Sequence, residues 1–168
     1  MPTMLRVQEK QMILASGRIG VISDTHGLLR PEAVKALKNS DLIIHPGDIG
    51  KPEVLQSLNS IAPVLAIRGN NDREAWAKTI PDILHLRVNG IGLYIIHDVS
   101  HLEIDPATSG FHAVISGHSH KPGITTREHV MFINAGSAGP RRFKLPIAVV
   151  RLQIKGGKLR AKLITLEI

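Results

Sequence analysis

The sequence predicts an α/β fold in which mixed β-sheets form a sandwich flanked by helices. Short apolar runs alternate with helical patterns in the first half of the chain, and strands and hairpins dominate the second half. A purely parallel sheet would keep the strand–helix alternation to its end. With 168 residues, 43% of them hydrophobic, the chain is long enough for one domain with a sizeable core.

The individual elements follow one another from residue 18 onward. Pro31 and Pro52 each open a helix, because proline suits the first helical turn, and a short helix is predicted over residues 72–78. Asn89-Gly90 is a strong signal for a tight hairpin. Strands are predicted at residues 18–23, 41–45, 63–67, 83–88, 91–96, 113–116, 123–126, 130–134, 147–154 and 158–166.

We expect residues 18–168 to form a single domain and residues 1–17 to form an N-terminal extension. That extension is interpreted as a frayed segment, an extra helix, or sequence upstream of a start at Met12. No apolar run approaches the ~18 residues that span a bilayer, and the run at residues 12–15 is too short for a signal-peptide core. The absence of cysteine excludes disulfides and thiolate metal sites. We therefore expect a cytoplasmic protein with no membrane partner.

Polar residues follow five of the predicted strands, at the point where each strand ends. The five segments are Asp24-Thr25-His26-Gly27, Pro46-Gly47-Asp48, Arg68-Gly69-Asn70-Asn71-Asp72, His97-Asp98 and Gly117-His118-Ser119-His120. Ligands of α/β sheets bind at the carboxyl ends of strands, so these side chains are expected on one rim. Asp24 and His26, like His118 and His120, are two residues apart, which in extended chain places both side chains on one side.

The residue types on this rim are those that bind divalent metals. Carboxylates supply charge, imidazoles bind borderline metals, and four histidines argue against a lone Ca²⁺ site. Each motif alone has an ordinary explanation: an Asp after a strand is often a helix cap, Gly-Asp is common in turns, and an isolated histidine is often half-buried. Their joint occurrence, each after an apolar run, predicts a centre with two cations.

The five segments, taken in order, resemble those of the calcineurin-like metallophosphoesterase superfamily. Within it, the chain is similar to the small bacterial and archaeal phosphodiesterases, whose fold the retromer subunit Vps29 shares. The resemblance covers about residues 18 to 165. It includes a sixth segment, Asn134-Ala135-Gly136-Ser137, which resembles an Asn-Pro-Gly-Ser loop beside the site.

The resemblance implies a ligand assignment and a mechanism. Asp24, His26 and His120 would hold the first metal, Asn70, His97 and His118 the second, and Asp48 would bridge the two. A hydroxide shared by both ions would attack phosphorus in line. Mn²⁺ is the expected metal, and the family also accepts Fe, Zn²⁺, Ni²⁺ or Co²⁺.

The sequence departs from the family pattern at two positions. Asn71 stands where many members have a histidine that protonates the leaving oxygen, so Asn71 contacts the leaving group or the phosphate but cannot act as a general acid. This favours phosphodiesters with good leaving groups. Asp98 follows His97 where glycine is usual, and we expect it to face solvent as a turn residue or to orient His97.

Four further residues near these segments are candidates for supporting roles. Asp72 is expected to lie behind the metal ligands, and His45 to be structural. Arg68 and Arg141 are candidate substrate-binding residues that would contact the phosphate, although an exposed Arg68 with no such role is equally consistent with the sequence.

The net charge of +7 is concentrated at the C-terminal end of the chain. Residues 141–168 contain eight basic residues and one acidic residue, Glu167. Gly156-Gly157 predicts a hairpin in which Lys155 faces Lys158 and Arg151 faces Lys162. These cations are typical of a strand edge that resists aggregation, and they also suit an anionic partner such as nucleic acid.

Four functions remain open from the sequence. The first is a phosphodiesterase acting on a small phosphodiester. The others are a catalytically silent Vps29-like scaffold that binds protein, a phosphomonoesterase or phosphoprotein phosphatase, and a nuclease that uses the basic C-terminal region. The intact ligand set argues against the scaffold, and Asn71 argues against the phosphatase. The sequence leaves the oligomeric state open, including a homo-oligomer, which relatives in the resembled family often form.

Overall fold

Two β-sheets pack face to face, and two short helices cover the outer face of one of them. The computed structural model describes residues 4–168. The six-stranded sheet has the order β1-β5-β6-β7-β9-β8, and the five-stranded sheet has the order β11-β10-β2-β3-β4. The elements are β1 (Val7–Met12), β2 (Arg18–Val21), α1 (Pro31–Ala36), β3 (Leu42–His45), α2 (Pro52–Asn59), β4 (Val64–Ala66), β5 (Ile83–Val88), β6 (Ile91–Ile96), β7 (Ala113–Ser116), β8 (Gly123–Arg127), β9 (Val130–Asn134), β10 (Ala148–Lys155) and β11 (Lys158–Thr165).

Both sheets are mixed, which confirms the predicted fold class. In the five-stranded sheet β2, β3 and β4 are parallel, and β10 and β11 join them as an antiparallel hairpin. In the six-stranded sheet β6, β7 and β9 are parallel, and antiparallel pairs flank them. Each sheet therefore contributes three parallel strands with their carboxyl ends on one edge.

The apolar residues form three clusters that match this layering. The largest lies between the sheets and joins Ile44 and Leu152 of one to Leu93 and Ile115 of the other. A second packs α1 and α2 against the outer face of the five-stranded sheet. The third covers the opposite face of the six-stranded sheet with residues 102–111. Among residues 4–168, no helix is long and apolar enough to cross a membrane.

The structure differs from the sequence-based expectation in two places. Residues 7–12 of the expected N-terminal extension form β1, an edge strand parallel to β5, whereas residues 1–3 lie outside the described residues. All but the last of the β1 residues are exposed, so the segment lacks the alternation that marks a half-buried strand. The helix predicted over residues 72–78 is only a 3-10 turn at Ala75–Ala77.

Candidate metal centre

The seven predicted metal ligands come together where the two sheets present their carboxyl edges. Four of them follow β2, β3 and β4 of one sheet, and three follow β6 and β7 of the other. The complete set is Asp24, His26, Asp48, Asn70, His97, His118 and His120. The site therefore depends on packing between sheets, because neither sheet carries all of the ligand atoms.

The first group of ligand atoms belongs to Asp24, His26 and His120, which lie within 4.8 Å of one another. The Oδ1 atom of Asp24 is 3.3 Å from Nε2 of His120 and 3.9 Å from Nε2 of His26. The other carboxylate oxygen of Asp24 accepts hydrogen bonds from the Ser23 hydroxyl and the His118 amide. These two bonds fix the carboxylate so that Oδ1 faces the histidines.

The second group gathers around Asp48, Asn70 and His97. The Oδ2 atom of Asp48 lies 3.4 Å from Nε2 of His97 and 3.7 Å from Nε2 of His26, so this oxygen stands between the two groups. The Oδ1 atom of Asn70 lies 3.0 Å from His97 Nε2 and 3.2 Å from His118 Nδ1. Ligand atoms held at about 2.0–2.2 Å around one ion are separated by roughly these distances.

The hydrogen bonding of His97 makes its other nitrogen an electron-pair donor toward this cluster. Its Nδ1–H donates to the Pro46 carbonyl at 2.8 Å, so Nε2 of the neutral ring faces Asn70 and Asp48 with a lone pair. A lone pair turned toward two oxygens is unfavourable unless a proton or a cation lies between them. Accordingly, although burial opposes it, the Asp48 hydrogen bond and the Asp24 and Asp48 charges raise the pKa of His97 above its usual value.

Several of these atoms are buried without a hydrogen-bond partner. Within residues 4–168 the unpaired buried side-chain atoms are Asp24 Oδ1, His26 Nε2 and His120 Nδ1, and all belong to predicted ligands. Leaving such a group unpaired costs about 1–3 kcal/mol. The donor set of carboxylate, amide and imidazole groups therefore fits divalent transition metals.

The backbone at the ligands adopts a conformation that few residues other than glycine take. Asp24, His26, Asp48, His118 and His120 all have φ between 46° and 68°. The expectation that each Asp-x-His or His-x-His pair lies in extended chain is therefore wrong, although the side chains converge as predicted. Left-handed backbone costs of order 1–3 kcal/mol at such residues and is concentrated at functional sites.

The comparisons with known proteins agree with this geometry. A model of the calcineurin-like phosphoesterase superfamily domain matches residues 18–157. The chain belongs to this superfamily. A probable metallophosphoesterase of Methanothermobacter thermautotrophicus is 36% identical in an alignment 158 positions long, which covers 87% of this chain and 91% of that protein. A phosphodiesterase of Methanocaldococcus jannaschii is 30% identical in an alignment 138 positions long, which covers 71% of this chain and 82% of that protein.

Several solved structures share the fold. An archaeal phosphodiesterase matches with a TM-score of 0.72 and 25% identity, covering 88% of this chain and 99% of that one. Vps29 of Entamoeba histolytica, solved in complex with zinc, matches with a TM-score of 0.69 and 18% identity, covering 88% and 98% of the two chains. The resemblance inferred from the sequence motifs is thereby confirmed.

Within this superfamily site, Asp72 and His45 support the loops that carry the ligands. Asp72 is buried, and its carboxylate accepts hydrogen bonds from the amides of Ile49, Gly50 and Gly69. It thereby ties the loop after β3 to the loop after β4. His45 is also buried between the Thr25 hydroxyl and the Gly47 amide, and burial lowers its pKa to about 4.

Asn71 lies against Asp48 and makes two hydrogen bonds to it. Its amide donates to Oδ1 at 2.9 Å, and its side-chain Nδ2 donates to Oδ2 at 3.0 Å. Although burial opposes it, the hydrogen bonds from His97 and Asn71 hold the pKa of Asp48 well below its usual range. Asn71 therefore orients this carboxylate and stabilises its charge. A contact from Asn71 to the leaving group or phosphate stays a prediction.

Neither predicted substrate-binding arginine is held among the ligands. Arg68 donates two hydrogen bonds from Nε and Nη2 to Oδ1 of Asp82, at 3.1 and 2.8 Å, so its guanidinium is an ion-pair partner. This pairing favours a structural role, and the local sequence gives no sign of it because Asp82 is fourteen residues away. Arg141 is exposed on the loop before β10, and its contact with phosphate stays a prediction.

Two residues assist the ligands in ways that the sequence does not indicate. Asp98 does not simply face solvent, because its side chain is only 21% exposed and its Oδ2 lies 3.5 Å from Nε2 of His118. Asp98 was expected to orient His97 if it did not face solvent, but the histidine that it contacts is His118. Ser23 donates to Asp24 at 2.6 Å, a contact that the sequence analysis does not assign to it.

Proposed function

We propose that this protein is a metal-dependent phosphodiesterase with a dinuclear centre, in which Mn²⁺ is the working metal. The main support is the convergence of seven donor side chains from both sheets, two of whose facing atoms, Asp24 Oδ1 and His26 Nε2, are buried without a hydrogen-bond partner. Membership of the phosphoesterase superfamily supplies the reaction class. Fe, Zn²⁺, Ni²⁺ and Co²⁺ suit the same donor types.

The proposed division of labour follows the two groups of ligand atoms. Asp24, His26 and His120 would hold one cation, and Asn70, His97 and His118 the other. Asp48 would contact both, since its Oδ2 stands between His26 and His97. When bound, the cations would activate water at neutral pH and offset charge on the phosphoryl oxygens.

The proposed substrate is a small phosphodiester with a good leaving group. An asparagine cannot deliver a proton, and Asn71 is turned toward Asp48. General acid catalysis is typically worth about 10²–10⁴-fold, so esters that need a protonated leaving group should react slowly. The similar proteins named as phosphodiesterases support the same substrate class.

The test compares the hydrolysis of a diester, bis-p-nitrophenyl phosphate, with that of a monoester, p-nitrophenyl phosphate. Protein stripped with a chelator is titrated with Mn²⁺, and Asp48→Asn serves as the inactive variant because it keeps the side-chain shape but removes the charge. We expect metal-dependent cleavage of the diester, weaker cleavage of the monoester, and loss of both in the variant. Equal or faster cleavage of the monoester would overturn the phosphodiesterase assignment.

A Vps29-like scaffold is the alternative that this experiment separates. Vps29 of Entamoeba histolytica was solved with zinc, so metal binding alone would not separate a Vps29-like scaffold from the proposed enzyme. A protein that binds Mn²⁺ but hydrolyses neither ester with any of the candidate metals would favour the scaffold. The measurement must therefore be turnover rather than metal content alone.

A further inference from the structure

A second surface of the molecule, away from the metal centre, carries a dense cluster of positive charges. The helices cover the outer face of the five-stranded sheet at Ile43 and Val149, and beyond Val149 the same face of β10 is exposed. Seven cations lie on the exposed part of this face, on β2, β10 and β11, and on the loop after α1. We refer to them as the basic face. They are Arg18, Lys38, Arg151, Lys155, Lys158, Arg160 and Lys162.

Most of these cations line one open groove, and those on β10 and β11 are paired across the two strands. Five of them, with Asn39, Ser40 and Gln153, line a groove of about 670 Å³. Across the sheet Arg151 pairs with Lys162, and Lys155 pairs with Lys158. Like charges directly opposite each other destabilise a sheet. A bound polyanion would remove this repulsion.

No acidic side chain neutralises the basic face. Within residues 4–168, no charged side-chain nitrogen of the seven cations lies within 4.0 Å of a carboxylate oxygen, and Asp41 accepts a hydrogen bond from the backbone amide of Arg18. Arg151 is fixed by donating from Nε to the carbonyl of Ala36 at 2.8 Å, which leaves the rest of its guanidinium free. The charges are therefore available to a ligand.

Protection of a sheet edge does not account for the whole face. Lysines on the edge strand β11 discourage strand-to-strand aggregation. Arg18, however, lies on β2, which is the central strand of the sheet, and Lys38 lies on the loop after α1. Cations at these two positions do not protect the edge strand from pairing. They extend the positive charge across the sheet.

We propose that the basic face binds the phosphate backbone of duplex nucleic acid without reading its sequence. A duplex carries one negative charge per about 1.7 Å of its axis, which suits a row of cations. Among the described residues, no aromatic side chain lines the groove, so the face lacks the stacking platforms that bind single-stranded bases. The large exposed apolar side chains of the described chain also lie elsewhere, which argues against insertion into a lipid surface.

The inference does not rest on the proposed hydrolysis. The row formed by Gly20, Arg151 and Lys162 lies four residues before Asp24, and the other rows extend further away from the metal centre. At about 3.3 Å per residue the face begins roughly 13 Å from Asp24. Binding can therefore be measured separately from turnover.

The experiment measures the Kd of a fluorescent mixed-sequence duplex of about 20 base pairs over a range of NaCl concentrations. Asp48→Asn protein with Mn²⁺ prevents cleavage, and chelated wild-type protein provides a second measurement. The test variant is Arg160→Gln with Lys162→Gln, both on exposed positions. The control is Lys10→Gln with Lys78→Gln, which removes the same charge from exposed positions away from the face.

We expect the test variant to weaken binding roughly tenfold or more at low salt and to reduce the slope of log K against log salt by about 2. The control should retain the wild-type slope, and neither variant should melt at a lower temperature than wild type. Equal losses of duplex affinity in the test and control variants would show that binding depends on net charge alone, and would overturn the proposal. Tighter binding to single strands, or to vesicles of anionic lipid, would also overturn it.

Discussion

The metal centre and the β10–β11 hairpin show two different ways in which this sequence encodes a surface. At the metal centre, ligands from two sheets meet through left-handed backbone and buried polar contacts, so each position depends on distant neighbours. In the hairpin, side chains alternate between core and solvent along two regular strands. We therefore expect single substitutions to have large effects at the first surface and small, additive effects at the second.

The largest effect is expected from Gly117→Ala, which changes no ligand. A Cβ atom at this position would overlap Oγ of Ser23 and Oδ2 of Asp24. Displacing a reacting or metal-holding group by about 1 Å can cost on the order of 100-fold in rate. We expect Mn²⁺ affinity, measured by calorimetry, and diester hydrolysis to fall by at least that factor.

The matched control for this change is Gly123→Ala in β8. A Cβ atom there has no neighbour within 4 Å among the described residues, and the backbone is not left-handed. The control should behave as wild type. Similar losses in the two variants would show that the tight packing around Asp24 is unimportant.

Asp98→Asn should weaken metal binding without unfolding the protein. The carboxylate lies 3.5 Å from Nε2 of His118, on the opposite side of the ring from the nitrogen that faces Asn70. Removal of such a partner typically costs about 10–100-fold in metal affinity. The melting temperature of the chelated variant should match wild type, as should the metal affinity of a Glu103→Gln control. An unchanged Kd for Mn²⁺ in Asp98→Asn would show that Asp98 does not position His118.

Stability at mildly acidic pH should depend on His45. Its pKa is about 4 in the folded protein because of burial, against 6.5 in an unfolded chain. The unfolded chain therefore takes up a proton first as the pH falls, and folding loses up to roughly 3 kcal/mol between pH 6.5 and 4. Urea unfolding of the chelated protein over this range measures the loss.

The variant His45→Gln tests whether this residue is the cause. It should be less stable than wild type at pH 7 but should lose less stability on acidification. His129→Gln, at an exposed position, should follow the wild-type curve. A slope that is unchanged in His45→Gln would assign the acid sensitivity to other groups.

The smallest effect is expected in the hairpin, from Lys158→Glu. Lys158 lies directly opposite Lys155, so the change replaces a repulsive pair by an attractive one. Cross-strand pairs contribute roughly 0.2–1 kcal/mol, and we expect a gain in the free energy of unfolding within that range. Lys10→Glu on β1, which faces Leu86, should bring no comparable gain. A loss in Lys158→Glu would contradict the proposed repulsion.

The same contrast explains what the sequence could predict. The β5–β6 hairpin has the predicted bounds, and the predicted pairs Lys155–Lys158 and Arg151–Lys162 are confirmed, because turn residues and alternation are local signals. The edge strand β1 was missed because its four central residues are all polar and its partner β5 is more than seventy residues away.

Within the metal centre, motifs identified the residues but not their geometry. The left-handed backbone at Asp24 and His118 arises from packing between sheets, including the close approach of Gly117 to Asp24. The contacts of Asp98 with His118 and of Arg68 with Asp82 have the same origin. A single sequence carries no local signal for such contacts.

The central claim is that the two sheets jointly hold two divalent ions, and counting those ions tests it most directly. Native mass spectrometry of chelated protein reloaded with Mn²⁺ gives the number of ions per chain. We predict two bound ions per chain for wild type and for the variant with Arg160→Gln and Lys162→Gln, and fewer for Asp48→Asn. Wild-type protein that takes up one ion or none at saturation, while remaining folded, would contradict the dinuclear centre.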